Sequence, residues 1–98
     1  MARSATRIGD LDFIHDCEFP KRLDCSKNVF VNGRGWSRMG DVNTPHKYGG
    51  DCDKTHLRPI AVGSKTVFVN GRGAGRILDY VAGCTFVLTG SRNVFAGG

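Results

Sequence analysis

Three residues able to ligate a metal ion recur at one spacing. Each follows an aspartate by five positions: His15 after Asp10, His46 after Asp41 and Cys84 after Asp79. Neutral imidazole and thiolate are preferred ligands of a tetrahedral Zn2+ ion. Such a site takes a fourth ligand, and His56 is the one histidine left over. Its stretch, from Asp41 to Ser64, has 22 intervening residues, against 15 from Asp10 to Ser26 and 11 from Asp79 to Ser91. The extra length lets His56 reach back to the point on which the other three converge. The expected ligand set is therefore His15, His46, His56 and Cys84. Three histidines and one thiolate close the shell and leave no water position, the arrangement of a structural ion rather than a catalytic one. Zn2+ suits this shell best, and Fe2+ is admissible.

The other cysteines are weighed against that set. Cys25 stands where Gly63 and Gly90 stand in related segments, beside a strand start, and reads as a small structural residue. Cys17 follows Asp10 by seven, matching Tyr48 and Phe86, and reads as packing. Cys52 lies four residues before His56 and competes with it for the fourth ligand position. A disulfide from Cys17 to either Cys52 or Cys25 is the alternative where the surroundings are oxidising.

The elements that position these residues come from internal repeats. Cys25-Ser26-Lys27-Asn28-Val29-Phe30-Val31-Asn32-Gly33 is matched by residues 63–71 and by residues 90–98. A shorter Arg-x-x-Asp block begins at Arg7, Arg38 and Arg76. Val-Phe-Val favours a strand, and Asn32-Gly33 and Asn70-Gly71 suit tight hairpin turns. The return strands are expected at residues 36–39 and 74–77. No window carries a 3.6-residue apolar period, so little or no helix is expected. The expected fold is an all-β, pseudo-threefold domain of three β-hairpin repeats. Its units run over approximately 6–36, 37–74 and 75–98 of a single 1–98 domain, with no extension domains.

Composition narrows the function classes. A chain of 98 residues makes one domain and is too short for a large barrel enzyme. No apolar run spans a membrane, and Arg3 and Arg7 are not followed by the apolar stretch of a signal peptide. The net charge of +5 comes from scattered basic residues. A nucleic-acid-binding zinc module would need more stacking and charge than Trp36, Arg34 and Arg38 offer. A metalloenzyme would need an open coordination position and a fixed general base, and nothing in the sequence fixes Asp16 or Asp51 in that role.

These blocks resemble the PAAR-repeat family, the tip proteins of contractile phage tails and type VI secretion spikes. The resemblance covers Thr6 to Gly98. The eponymous Pro-Ala-Ala-Arg segment reads Gly35-Trp36-Ser37-Arg38 and Gly73-Ala74-Gly75-Arg76 here, keeping only the arginine, and Leu78 replaces the usual glycine. The resemblance implies a small cone with a metal near its apex, held by His15, His46, His56 and Cys84. It implies a broad base capping a trimeric β-helical spike, one copy per trimer, in the virion of a contractile-tailed phage. It implies a mechanical, non-enzymatic role in piercing the host outer membrane, with no nucleic-acid partner. A secretion-spike tip is the alternative.

Overall fold

The computed structural model describes residues 2–98. Among the described residues there is no helix and there are short strands: β1 (Arg3–Ser4), β2 (Phe30–Val31), β3 (Arg34–Gly35), β4 (His46–Tyr48), β5 (Lys54–His56), β6 (Phe68–Val69), β7 (Arg72–Gly73) and β8 (Phe95–Ala96). The protein is all-β and elongated, 39 × 24 × 23 Å.

The Asn-Gly pairs turn the chain as the sequence requires. Asn32 and Gly33 have φ of 54° and 78°, and Asn70 and Gly71 have 54° and 79°. Positive φ at both central residues gives a two-residue turn whose twist matches its strands. These turns join β2 to β3 and β6 to β7. A two-residue loop has no slack, so the return strands begin at Arg34 and Arg72, not at Trp36 and Ala74. Residues further along form single bridges across the molecule instead: Arg7 with Trp36, Arg38 with Ala74 and Ala5 with Arg76.

The third Val-Phe segment finds its return strand at the other end of the chain. β8 pairs with β1, Arg3 opposite Ala96 and Ser4 opposite Phe95. This is the register of Arg34 opposite Val31 and Gly35 opposite Phe30. Ser4-Ala5-Thr6-Arg7 thus takes the place of Gly35-Trp36-Ser37-Arg38.

Inside the hairpins the backbone closes a ring. Thr6 N–H donates to the Gly75 carbonyl at 3.1 Å, Gly75 to Ser37 at 2.8 Å, and Ser37 to Thr6 at 3.0 Å. The approach is tight enough that a Cβ on Gly75 would lie 2.5 Å from the Ser37 carbonyl oxygen. Around the ring sits an apolar cluster of Ala5, Val31, Trp36, Val69, Ala74 and Ala96, with Val29, Val67 and Val94 against it. Trp36 is buried and its indole N–H donates to the Gly75 carbonyl, so its ring is not a stacking surface for bases.

The Arg-x-x-Asp blocks make the corners. Asp10, Asp41 and Asp79 accept from the backbone N–H and the Nε of Arg7, Arg38 and Arg76. Each aspartate also receives a second arginine: Arg34 at 3.1 Å, Arg72 at 3.2 Å and Arg3 at 2.8 Å, respectively. Beyond each corner the chain turns into the loop that carries the metal-ligand candidates. The carbonyls of the same three aspartates accept from Arg22, Ile60 and Val87. Those three residues therefore hold matching places beneath the loops.

Candidate metal centre

The corner at Asp10 sends His15 into a short turn in which the His15 N–H donates to the Glu18 carbonyl at 2.9 Å and the His15 carbonyl accepts from the Cys17 N–H. The middle loop forms the antiparallel hairpin of β4 and β5, with His46 directly opposite His56. Cross-strand neighbours on one face lie side by side, so this register supplies two imidazoles at once. Cys84 sits in the third and shortest loop, where its N–H donates to the Val81 carbonyl.

The structure brings His15, His46, His56 and Cys84 together, with one donor atom from each within 4.8 Å of all the others. His15 Nδ1 is 3.2 Å from His46 Nε2 and 2.9 Å from His56 Nε2. Cys84 Sγ is 3.0 Å from His15 Nδ1 and 3.3 Å from His46 Nε2. A tetrahedral ion with bonds of about 2.0–2.1 Å to nitrogen and 2.3 Å to sulfur needs donor–donor edges of roughly 3.3–3.5 Å. The four edges above, 2.9–3.3 Å, are at or slightly shorter than the low end of that range. Donor chemistry and spacing therefore fit one ion, and the group could hold a metal whose identity the geometry does not determine.

The outward ring nitrogens are partly arranged for ligation. His46 Nδ1 lies 2.8 Å from the Thr44 carbonyl, which places the proton on Nδ1 and leaves the Nε2 lone pair facing the other donors. Such outer partners fix the tautomer of a metal-bound histidine. His15 Nε2 lies 3.8 Å from the Asp16 carboxylate, which is fixed by accepting from the Gly49 N–H at 2.9 Å. His56 differs: its Nδ1 accepts from Arg58 Nε at 3.2 Å, which places its proton on Nε2, facing His15 Nδ1 at 2.9 Å. Ligation through Nε2 requires that proton to move and Arg58 to turn aside. Tyr48 stacks on both His56 and His15, with centroids 3.9 and 5.2 Å away.

Electrostatics follow from the crowding. Burial, then repulsion from His46, His15 and Arg58, pushes the His56 pKa down to about 4. Burial pushes the Cys84 thiol up, opposed by the Asn43 amide and by Arg22 and Arg58. An ion at this point would reverse the second effect, because a coordinating thiol is deprotonated outright.

The remaining cysteines are sorted by their contacts. Cys17 and Cys52 form a disulfide across a separation of 35 residues. Cys17 is thus covalently paired rather than simply packed, and Cys52 has no thiolate to offer in place of His56. The bond ties the His15 turn to the hairpin carrying His46 and His56. Cys25 is free, and its sulfur fills the space where Gly35 lacks a side chain.

Sequence reasoning missed Tyr48, Thr44, Arg58 and Asn43, all of which touch the cluster. Their residue types are generic, and only the β4–β5 register and the loop paths bring them in. No protein-family model and no curated protein matches the chain.

Proposed function

We propose that the protein is a structural, non-enzymatic tip that caps a trimeric β-helical spike of a contractile phage tail and is driven with it through the host outer membrane. In this reading one Zn2+ ion, or Fe2+, is held by His15, His46, His56 and Cys84 and ties three loops at the narrow end. The observation that carries it is the gathering of four ligand side chains from three separate loops onto one point. A tip under load needs covalent or coordinate ties where packing is thinnest, and structural zinc contributes on the order of 10 kcal/mol in small metal-dependent folds.

Two further observations support the reading. The outer phenylalanines of the three matching strand pairs are exposed: Phe30 at 60%, Phe68 at 60% and Phe95 at 53%. Three matched apolar contacts suit a partner built from three identical chains. On the ligand-bearing loops, Ile14, Phe19 and Leu57 are also exposed, which suits a surface that enters lipid.

The test is to mix the purified protein with candidate trimeric spikes and measure stoichiometry by light scattering. One chain per trimer is expected, with capture abolished by replacing Phe30, Phe68 and Phe95 together by serine. Three chains per trimer would contradict a single cap.

A further inference from the structure

Asn43 is fully buried and touches all three ligand-bearing loops. Its Oδ1 accepts from the Arg58 N–H at 2.8 Å, two residues past His56. Its Nδ2 donates to Asp12 Oδ2 at 3.0 Å, three residues before His15, and lies 3.9 Å from Cys84 Sγ. These partners fix the amide's orientation. Turning it over would set its NH2 group against an N–H donor and its oxygen against a carboxylate. One Nδ2 hydrogen is committed to Asp12, so the other is left for the sulfur.

The support beneath Asn43 is unusual. Asp12 is held by Arg22 Nη2 at 3.0 Å, and Arg22 Nη1 donates to the Asp41 carbonyl at 3.3 Å, both residues being fully buried. Burial pushes the Asp12 carboxyl up and the Arg22 guanidinium down, and their contact opposes both shifts. Asp12 Oδ1 and Arg22 Nε find no hydrogen-bond partner among the described residues. A buried ion pair is commonly no more stable than apolar residues of similar volume, and the chain itself shows the apolar solution. Ile60 and Val87 hold the places matching Arg22, and Val81 holds the place, two after the corner aspartate, that matches Asp12 and Asn43. These three form a tight apolar cluster with Cys84 against it. Stability alone therefore does not account for the polar trio, whereas holding Asn43 in one orientation does.

We propose that Asn43 is a positioning residue for the metal centre, held by Asp12 and Arg22 so that one amide N–H is directed at the Cys84 sulfur. A hydrogen bond there draws charge from the thiolate and weakens its donation to the ion, so it tunes the ion's electronic environment. Outer partners of this kind commonly change metal affinity 10–100-fold. The proposal rests on reading the four side chains as a metal centre.

The test uses the full chain loaded with Co2+, which reports both geometry and thiolate donation in its absorption spectrum. Wild type is expected to show intense tetrahedral d–d bands and a thiolate-to-cobalt band. Asn43→Ala is expected to keep the d–d bands and move the thiolate band to longer wavelength. If wild type shows no tetrahedral spectrum, the metal reading fails and the proposal with it. If the spectrum is tetrahedral and the thiolate band does not move in the variant, the proposal alone is overturned. Should Asn43→Ala not fold, NMR of the wild-type chain loaded with 113Cd decides. A coupling from the Asn43 side-chain amide proton to cadmium is expected, and no coupling with no downfield shift overturns the proposal.

Discussion

Arg3 donates to Asp79 at 2.8 Å across 76 positions of sequence, and Asp79 is almost completely buried. The contact occupies the place that Arg34 holds at Asp10 and Arg72 holds at Asp41. A bond to a charged partner contributes roughly 1.5–3 kcal/mol, reduced here because Arg3 is partly exposed. Arg3→Ala is expected to cost about 1–2 kcal/mol and to lower Tm by on the order of 5–15 °C. Thermal unfolding checks this, with Arg72→Ala giving a comparable loss and Arg92→Ala, which makes no such contact, leaving Tm within about 2 °C.

His46 is the most buried of the four ligand candidates, and its tautomer is set by Thr44. His46→Ala is expected to abolish stoichiometric metal binding and to lower Tm by well over 10 °C, as is prolonged chelation of the unmodified protein. Elemental analysis and calorimetry of the same samples check this. A variant that keeps one equivalent of metal with unchanged Tm contradicts the ligand assignment.

The Cys17–Cys52 bond closes a loop of 35 residues, which in the chain-entropy description is worth about 3–4 kcal/mol. It also joins the turn carrying His15 to the hairpin carrying His46 and His56. Reduction, or the paired change Cys17→Ser with Cys52→Ser, is expected to lower stability by a few kcal/mol and to speed metal loss to a chelator. Thiol titration of the denatured, metal-free chain should give two free thiols before reduction and four after.

In the metal-free chain the His56 pKa is held at about 4, below its ordinary 6.5, first by burial and then by His46, His15 and Arg58. The unfolded chain therefore takes up a proton between those two values that the folded chain refuses. His56's contribution to stability is complete above pH 6.5 and is lost as pH falls toward 4. Urea unfolding of metal-free protein across pH 4–7 should show this decline, and His56→Gln should flatten it.

The parts legible in sequence are those set by residues close together or by a repeated offset. Asn32-Gly33 and Asn70-Gly71 require a turn wherever they stand, and the structure turns there. The five-residue offset from each corner aspartate marked His15, His46 and Cys84 because each corner starts its loop in the same way. The β1–β8 pairing was not legible, because Arg3 and Ser4 have no strand signature until Phe95 and Ala96 lie beside them. The Cys17–Cys52 pairing stayed one of two options, since connectivity is a property of the folded loops. Asn43 was invisible for a different reason: its role depends on three partners from three loops, and no local pattern encodes that.

The pairing of β1 with β8 has a consequence for how the polypeptide can be cut and rejoined. Gly97 and Gly98 follow Ala96 as Asn32 and Gly33 follow Val31, and Gly98 has φ of 76°, like Gly33 and Gly71. The β1–β8 pair thus sets Gly97-Gly98 and Arg3 where the Asn-Gly turns join the strands of the other two pairs. Circular permutation should be tolerated: joining Gly98 to Arg3 directly, and opening the chain instead between Gly71 and Arg72, leaves every strand pair and every corner aspartate with its present partners.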